Sequence, residues 1–167
     1  MKVLYSWLKE YVDIDVTPKE LEEKLFSVGF EVEGVEYLGA NMEKVVVGRI
    51  EKIEKHPDAD KLVVCQLNVG KEELVQIVTG AKNVFEGAYV PVALDGAKIP
   101  GPLHGQPKVE GGVTIKAGQL RGVDSHGMLC SFGELGFEDK VVPVNQREGI
   151  WILGGEYPLG MDFAEAL

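Results

Sequence analysis

The 167-residue sequence has only two cysteines, Cys65 and Cys130, too few for a disulfide framework. That scarcity points to a reducing compartment. No apolar run approaches the roughly 20 residues that a membrane helix needs. The start, Met1-Lys2-Val3-Leu4-Tyr5-Ser6-Trp7-Leu8-Lys9-Glu10, is too short and too charged for a signal peptide. Basic charge is also scarce: 17 Lys and Arg stand against 27 Asp and Glu, a net of −10. A basic excess is the usual electrostatic footprint of nucleic-acid binding, so composition alone favours a protein or small-molecule partner. Apolar residues are not scarce. At 45% they exclude a disordered chain and supply a core for one domain or two small ones. These features read as a soluble cytoplasmic protein.

Catalytic signatures are missing as well. There is no G-x-x-x-x-G-K-[ST] phosphate loop and no G-x-G-x-x-G fingerprint. The G-x-S-x-G frame reads Gly122-Val123-Asp124-Ser125-His126 and breaks. His56 lies near Asp58 and Asp60, but His104 and His126 are separated from it by Gly- and Pro-rich sequence and fall in no paired-ligand spacing. Neither a metal site nor a catalytic residue is expected.

The acid is unevenly spread. Residues 1–40 hold four basic and nine acidic side chains, whereas 41–140 hold 12 and 14. The first segment reads as helical. Ser6 is placed to cap a short helix over 7–12, broken by Asp13-Ile14-Asp15. Thr17-Pro18-Lys19-Glu20 then combines an N-cap, a proline at the first helical position and a capping box. Leu21, Leu25 and Val28 form one apolar stripe, and Gly29 supplies a stop. Alternation over 30–35 predicts a half-buried strand.

From about Lys44 the texture changes to short strands. Val45, Val47, Ile50 and Ile53 mark the first, and Val63, Cys65, Leu67 and Val69 alternate along the second. Val75, Ile77 and Thr79 mark a third, 89–94 a fourth and 120–129 a fifth. Glycines punctuate the intervals. Five short strands suit a small closed barrel, with the oligonucleotide/oligosaccharide-binding (OB) barrel as the leading candidate and a sandwich as the competitor. Residues 97–119 read as a long loop with a hairpin around Gly111-Gly112. Ile150-Trp151-Ile152-Leu153 is a buried-strand candidate, and Asp162-Phe163-Ala164-Glu165 begins another capping box.

Turns on one barrel mouth could hold looped or single-stranded RNA through cations, hydrogen-bonding groups and a stacking side chain. Lys55, His56 and Lys61 flank the first turn, and Lys82 and Asn83 follow the third strand. Lys116 and Arg121 fall at the fifth strand's start, with Ser125, His126, Met128 and Ser131 at and beyond its end. The expected RNA-binding set is Lys61, Lys82, Lys116 and Arg121 for phosphates, Asn83 and Ser125 for bases or sugars, with Met128 and Ser131 beside them.

Three ordered motifs carry a resemblance. They are His56-Pro57-Asp58-Ala59-Asp60-Lys61-Leu62, Val78-Thr79-Gly80-Ala81-Lys82-Asn83-Val84, and Leu120-Arg121-Gly122-Val123-Asp124-Ser125-His126-Gly127-Met128-Leu129-Cys130-Ser131, closing on Glu134-Leu135-Gly136. Together they resemble the tRNA-binding (EMAP-II-like) domain family. The flanks, Trp7-Leu8-Lys9-Glu10-Tyr11-Val12 and Val28-Gly29-Phe30-Glu31-Val32-Glu33-Gly34-Val35, are similar to the start of the bacterial phenylalanine–tRNA ligase β-subunit family.

That resemblance implies a mainly β protein with flanking α+β elements: a five-stranded OB-fold barrel at 40–150, inserted into a discontinuous N-terminal αβ domain of 1–39 and 151–167. It further implies a non-catalytic, tRNA-binding piece of a longer ligase subunit. The α subunit would be its partner in an (αβ)2 heterotetramer, with ATP and Mg bound outside these residues. The alternatives are a stand-alone tRNA-binding or chaperone module, and a protein-docking spacer.

Overall fold

The helix signals near the start act locally, and the computed structural model, which describes residues 1–167, shows them at work. Helix α2 (Pro18–Ser27) opens on the expected capping box. Thr17 Oγ1 accepts from the Glu20 amide at 3.3 Å, and Glu20 Oε2 accepts from the Thr17 amide at 2.8 Å. Its end is equally well specified. Gly29, at φ +88°, lets the Gly29 amide reach the Phe26 carbonyl and the Phe30 amide reach that of Leu25.

Helix α1 (Tyr5–Tyr11) departs from expectation at its start. Leu4 holds the N-cap position and no side chain caps it, so Ser6 lies inside the helix. The strand expected over 30–35 is not formed. Residues 1–37 make up one compact unit that contains no other strand, so an extended segment there has no backbone partner.

Residues 38–167 form the second unit, built on eight strands. They are β1 (Glu43–Lys55), β2 (Val63–Asn68), β3 (Val75–Thr79), β4 (Tyr89–Ile99), β5 (Val113–Thr114), β6 (Gly118–Leu120), β7 (Val123–Ser125) and β8 (Gly127–Leu129). The main sheet runs β3-β2-β1-β4-β5, with β8 also on β4, and every pairing is antiparallel. The His126 amide, just before β8, donates to the Gln76 carbonyl of β3 at 2.8 Å. That bond joins the two free edges, so the fold is a nearly closed five-stranded barrel of OB type and not a sandwich.

Alternation decides what lies inside. Cys65 and Leu67 of β2 are fully buried, as are Val45, Val47 and Ile50 of β1 and Val90 and Val92 of β4. β1 is long enough to serve two neighbours, pairing β4 along its first half and β2 along its second.

The expected fifth strand over 120–129 is three elements instead of one. Arg121 and Gly122 both take positive φ, +53° and +84°, and fold the chain back in a two-residue turn with Leu120 opposite Val123. The long loop does return as a hairpin through Gly111-Gly112, bringing Val113 opposite Ile99.

Residues 150–167 pack on the barrel. The strand expected at 150–153 is an extended stretch outside any ladder, tied by Trp151 N–H to the Cys130 carbonyl (3.0 Å) and Leu153 N–H to that of Tyr89 (2.9 Å). Further on, Gly160 N–H donates to the Val47 carbonyl and Val47 N–H to that of Met161, each at 2.8 Å. Phe163 is fully buried and meets Trp151 edge-on at 5.1 Å. The capping signal at Asp162 produces one 3-10 turn, Phe163–Ala166, with Asp162 accepting from the Ala164 amide. This segment, expected to rejoin 1–39, lies with the barrel in the same compact unit because its apolar side chains complete that core. No helix is long and apolar enough to cross a membrane.

Candidate nucleic-acid interface

Strand register places three loops at one end of the barrel. Lys55 ends β1 opposite Val63, and Val63 lies opposite Thr79 at the end of β3. Paired strands lie about 5 Å apart, so the 56–62 turn and the loop after Thr79 leave from neighbouring strand ends. Lys61 sits two residues before Val63 and Lys82 three residues after Thr79. A Cβ on Gly80 would lie 3.7 Å from the Lys61 carbonyl oxygen, which shows the two loops in contact.

The hairpin β6–β7 reaches the same end through His56. This ring is buried, and its Nε2 lies 2.8 Å from the Leu120 carbonyl oxygen while Nδ1 accepts from the Asp58 amide at 3.0 Å. Leu120 immediately precedes Arg121 at the hairpin tip. Lys55, Lys61, Lys82 and Arg121 are all exposed and none is paired with a carboxylate. Lys2, Arg49, Lys52, Lys98 and Lys140, by contrast, are each neutralised by a glutamate. Asp58 and Asp60 share the 56–62 turn and reduce the local charge.

The remaining expected residues separate from this group. Lys116 is exposed but lies at the bend of β4: Ile115 donates to the Ala97 carbonyl and Ala117 to Asp95 Oδ1. Asn83 was expected to meet bases or sugars, yet both ends of its amide are committed to Ile150. Ser125 is buried, accepting from the Val78 amide at 3.0 Å and donating to the Gly127 carbonyl at 3.1 Å. Ser131 forms a second capping box, with Glu134 Oε2 accepting its amide and hydroxyl at 2.7 and 2.9 Å. Met128, half-buried opposite Ala93, packs on the core. Asn83, Ser125 and Ser131 thus spend hydrogen bonds on bracing the fold, and Met128 adds packing.

Phe85, 53% exposed in the loop beyond Asn83, is a flat side chain that the sequence reading did not single out. Its signal was an aromatic in a loop between Gly80 and Gly87. No cluster of three or more His, Cys, Asp or Glu side chains is placed to hold a metal ion.

A family model described as "Putative tRNA binding domain" matches residues 45–150. Over 153 residues the chain is 50% identical to the phenylalanine–tRNA ligase β subunit of Oceanobacillus iheyensis, covering 91% of this chain and 18% of that protein. Over 167 residues it is 46% identical to the β subunit of Clostridium tetani, covering 100% and 19%. The chain therefore spans about a fifth of the length of these curated relatives. A solved structure, a MetRS-related protein from Pyrococcus horikoshii, aligns at TM-score 0.43 and 21% identity over 70% of this chain and 85% of that one. With the barrel, its cationic end and the family model coinciding on one stretch, the chain belongs to the tRNA-binding domain family.

Proposed function

We propose that this chain is the tRNA-binding N-terminal region of a phenylalanine–tRNA ligase β subunit. It contributes to the attachment of phenylalanine to tRNA without itself carrying the chemistry. The observation that carries this reading is the group of unpaired cations, Lys55, Lys61, Lys82 and Arg121, at one end of a barrel of the tRNA-binding family. Such a rim meets a polyanion by displacing counterions from phosphates, while Phe85 offers a face for an unstacked base. Lys116, at the β4 bend, extends the charge away from the rim.

On this reading the barrel at 40–150 is the RNA-contacting module, and most of the net negative charge lies outside it, since 40–150 holds 13 basic and 15 acidic side chains against 4 and 12 elsewhere. The surrounding ligase supplies ATP and Mg contacts and the α-subunit partner of an (αβ)2 assembly, in the cytoplasm. With a net charge of −10, the isolated chain binds weakly and loses affinity steeply with salt.

Titration of the chain with tRNA at low and moderate salt tests the proposal. Saturable binding that weakens with salt, and weakens further in Arg121→Ala, supports it. No binding at low salt rejects it in favour of a protein-docking spacer.

A further inference from the structure

We propose that His56 is the positioning residue of the cationic end, fixing the Arg121 tip of the β6–β7 hairpin against the turn that carries Lys61. The inference rests on the tRNA-binding reading above and adds a role for a residue that touches no ligand. His56 is only 6% exposed, so its ring is not available to RNA. Its nitrogens have opposite duties. Nδ1 accepts from the Asp58 amide, so the ring proton sits on Nε2, where it is donated to the Leu120 carbonyl. One neutral ring thereby holds its own turn closed and grips a carbonyl 64 residues away.

The gripped carbonyl belongs to the residue before Arg121. Arg121 sits at φ +53°, a left-handed position that asparagine or glycine fills more readily, at the tip of a ladder only three residue pairs long. So short a ribbon is not held by its own pairing. Besides the His56 bond, the hairpin is tied to β3 only toward its base, where Gln76 Nε2 donates to the Asp124 carbonyl and the Val78 amide donates to Ser125 Oγ. Without the His56 bond nothing comparable secures the tip, and Arg121 is free to swing away from Lys55, Lys61 and Lys82.

Two substitutions divide the ring's duties. H56N places an amide where Nδ1 stood, keeping an acceptor for the Asp58 amide but falling short of Leu120. H56Q carries its amide nitrogen out to the Nε2 position, keeping the donor to Leu120 and losing the turn acceptor. Each is made alone and with Arg121→Ala in the 167-residue chain, with unfractionated tRNA as the probe. H56N weakens binding about twofold to fivefold, the range of one exposed charge contact, and lowers the salt slope. Adding Arg121→Ala to H56N costs nothing more. H56Q recovers the lost affinity, and Arg121→Ala weakens it again.

Both variants disturb a buried ring and lower the melting temperature, so stability alone does not produce this split. Hydrogen exchange across 118–125 is read without RNA and accelerates in H56N but not in H56Q. Equal binding loss in both variants, or an H56N chain that binds like the unmodified one and still responds to Arg121→Ala, overturns the positioning role. If the unmodified chain binds no tRNA, the RNA reading fails, and an exchange pattern alike in both variants then removes the hairpin grip as well.

Discussion

Asn83 and the backbone of Ile150 exchange two hydrogen bonds, Nδ2 to the Ile150 carbonyl at 2.8 Å and the Ile150 amide to Oδ1 at 2.9 Å. The pair ties the loop after β3 to the segment that follows the barrel. Asn83→Ala is expected to lower unfolding free energy by about 1–3 kcal/mol by stranding both Ile150 groups. Asn83→Asp fares no better, because a carboxylate then faces the carbonyl. Chemical denaturation gives the stability, and tRNA titration of the folded variants shows affinity within twofold of the parent on the order expected for a brace.

Ser125 closes the barrel where β3 meets the hairpin. Ser125→Ala leaves the buried Val78 amide without its acceptor, a loss of about 1–3 kcal/mol. Amide exchange at Val78 rises with it, while the salt dependence of tRNA binding is unchanged.

Phe163 tests whether the final segment belongs to the barrel's core. It is fully buried and in edge contact with Trp151. Phe163→Ala is expected to cost about 3–5 kcal/mol, read as a lower denaturation midpoint of the same cooperative transition that reports the barrel. A midpoint unchanged from the parent contradicts that placement.

The rim cations differ from Lys116 in what they contribute. Lys61→Ala, Lys82→Ala and Arg121→Ala each reduce the slope of log K against log salt by about 0.7–0.9, one phosphate's worth. Lys116→Ala, made at the β4 bend, changes it less. The measurement is a set of titrations over a salt series, and equal slopes for all four variants would contradict the clustering.

The two thiols give a pH dependence with a definite sign. Burial pushes the Cys65 thiol from its ordinary value of 9.0 up to about 11, and burial followed by the Glu134 charge raises that of Cys130. The unfolded chain releases these protons earlier than the native one, so stability falls as pH rises from 9 toward 11. Cys65→Ala makes that fall shallower. At pH 8 neither thiol reacts with a disulfide reagent until the protein is unfolded.

Much of the fold was legible because its cues are short-range. Thr17 and Glu20 are three residues apart and cap each other wherever the rest of the chain goes. Cys65 and Leu67 alternate because a pleated strand has a period of two. The cue over 30–35 failed for the complementary reason, since alternation describes a strand but does not provide the neighbour it must bond. Lys61, Lys82 and Arg121 were legible as a group through their motifs. Asn83, Ser125 and Ser131 carry the same polar groups in the sequence whether they face a ligand or the fold, so their bracing roles were not.

The sequence by itself determined the capping box of α2, the alternating core strands and the family motifs, all of them patterns within a few residues. Only the tertiary structure decided that His56 grips Leu120, that Asn83 clasps Ile150 and that the last segment joins the barrel's core. Those bonds span 64 and 67 residues. They exist only once strand pairing has closed the barrel, because a hydrogen bond acts over about 3 Å and no local pattern records which distant group will come within it.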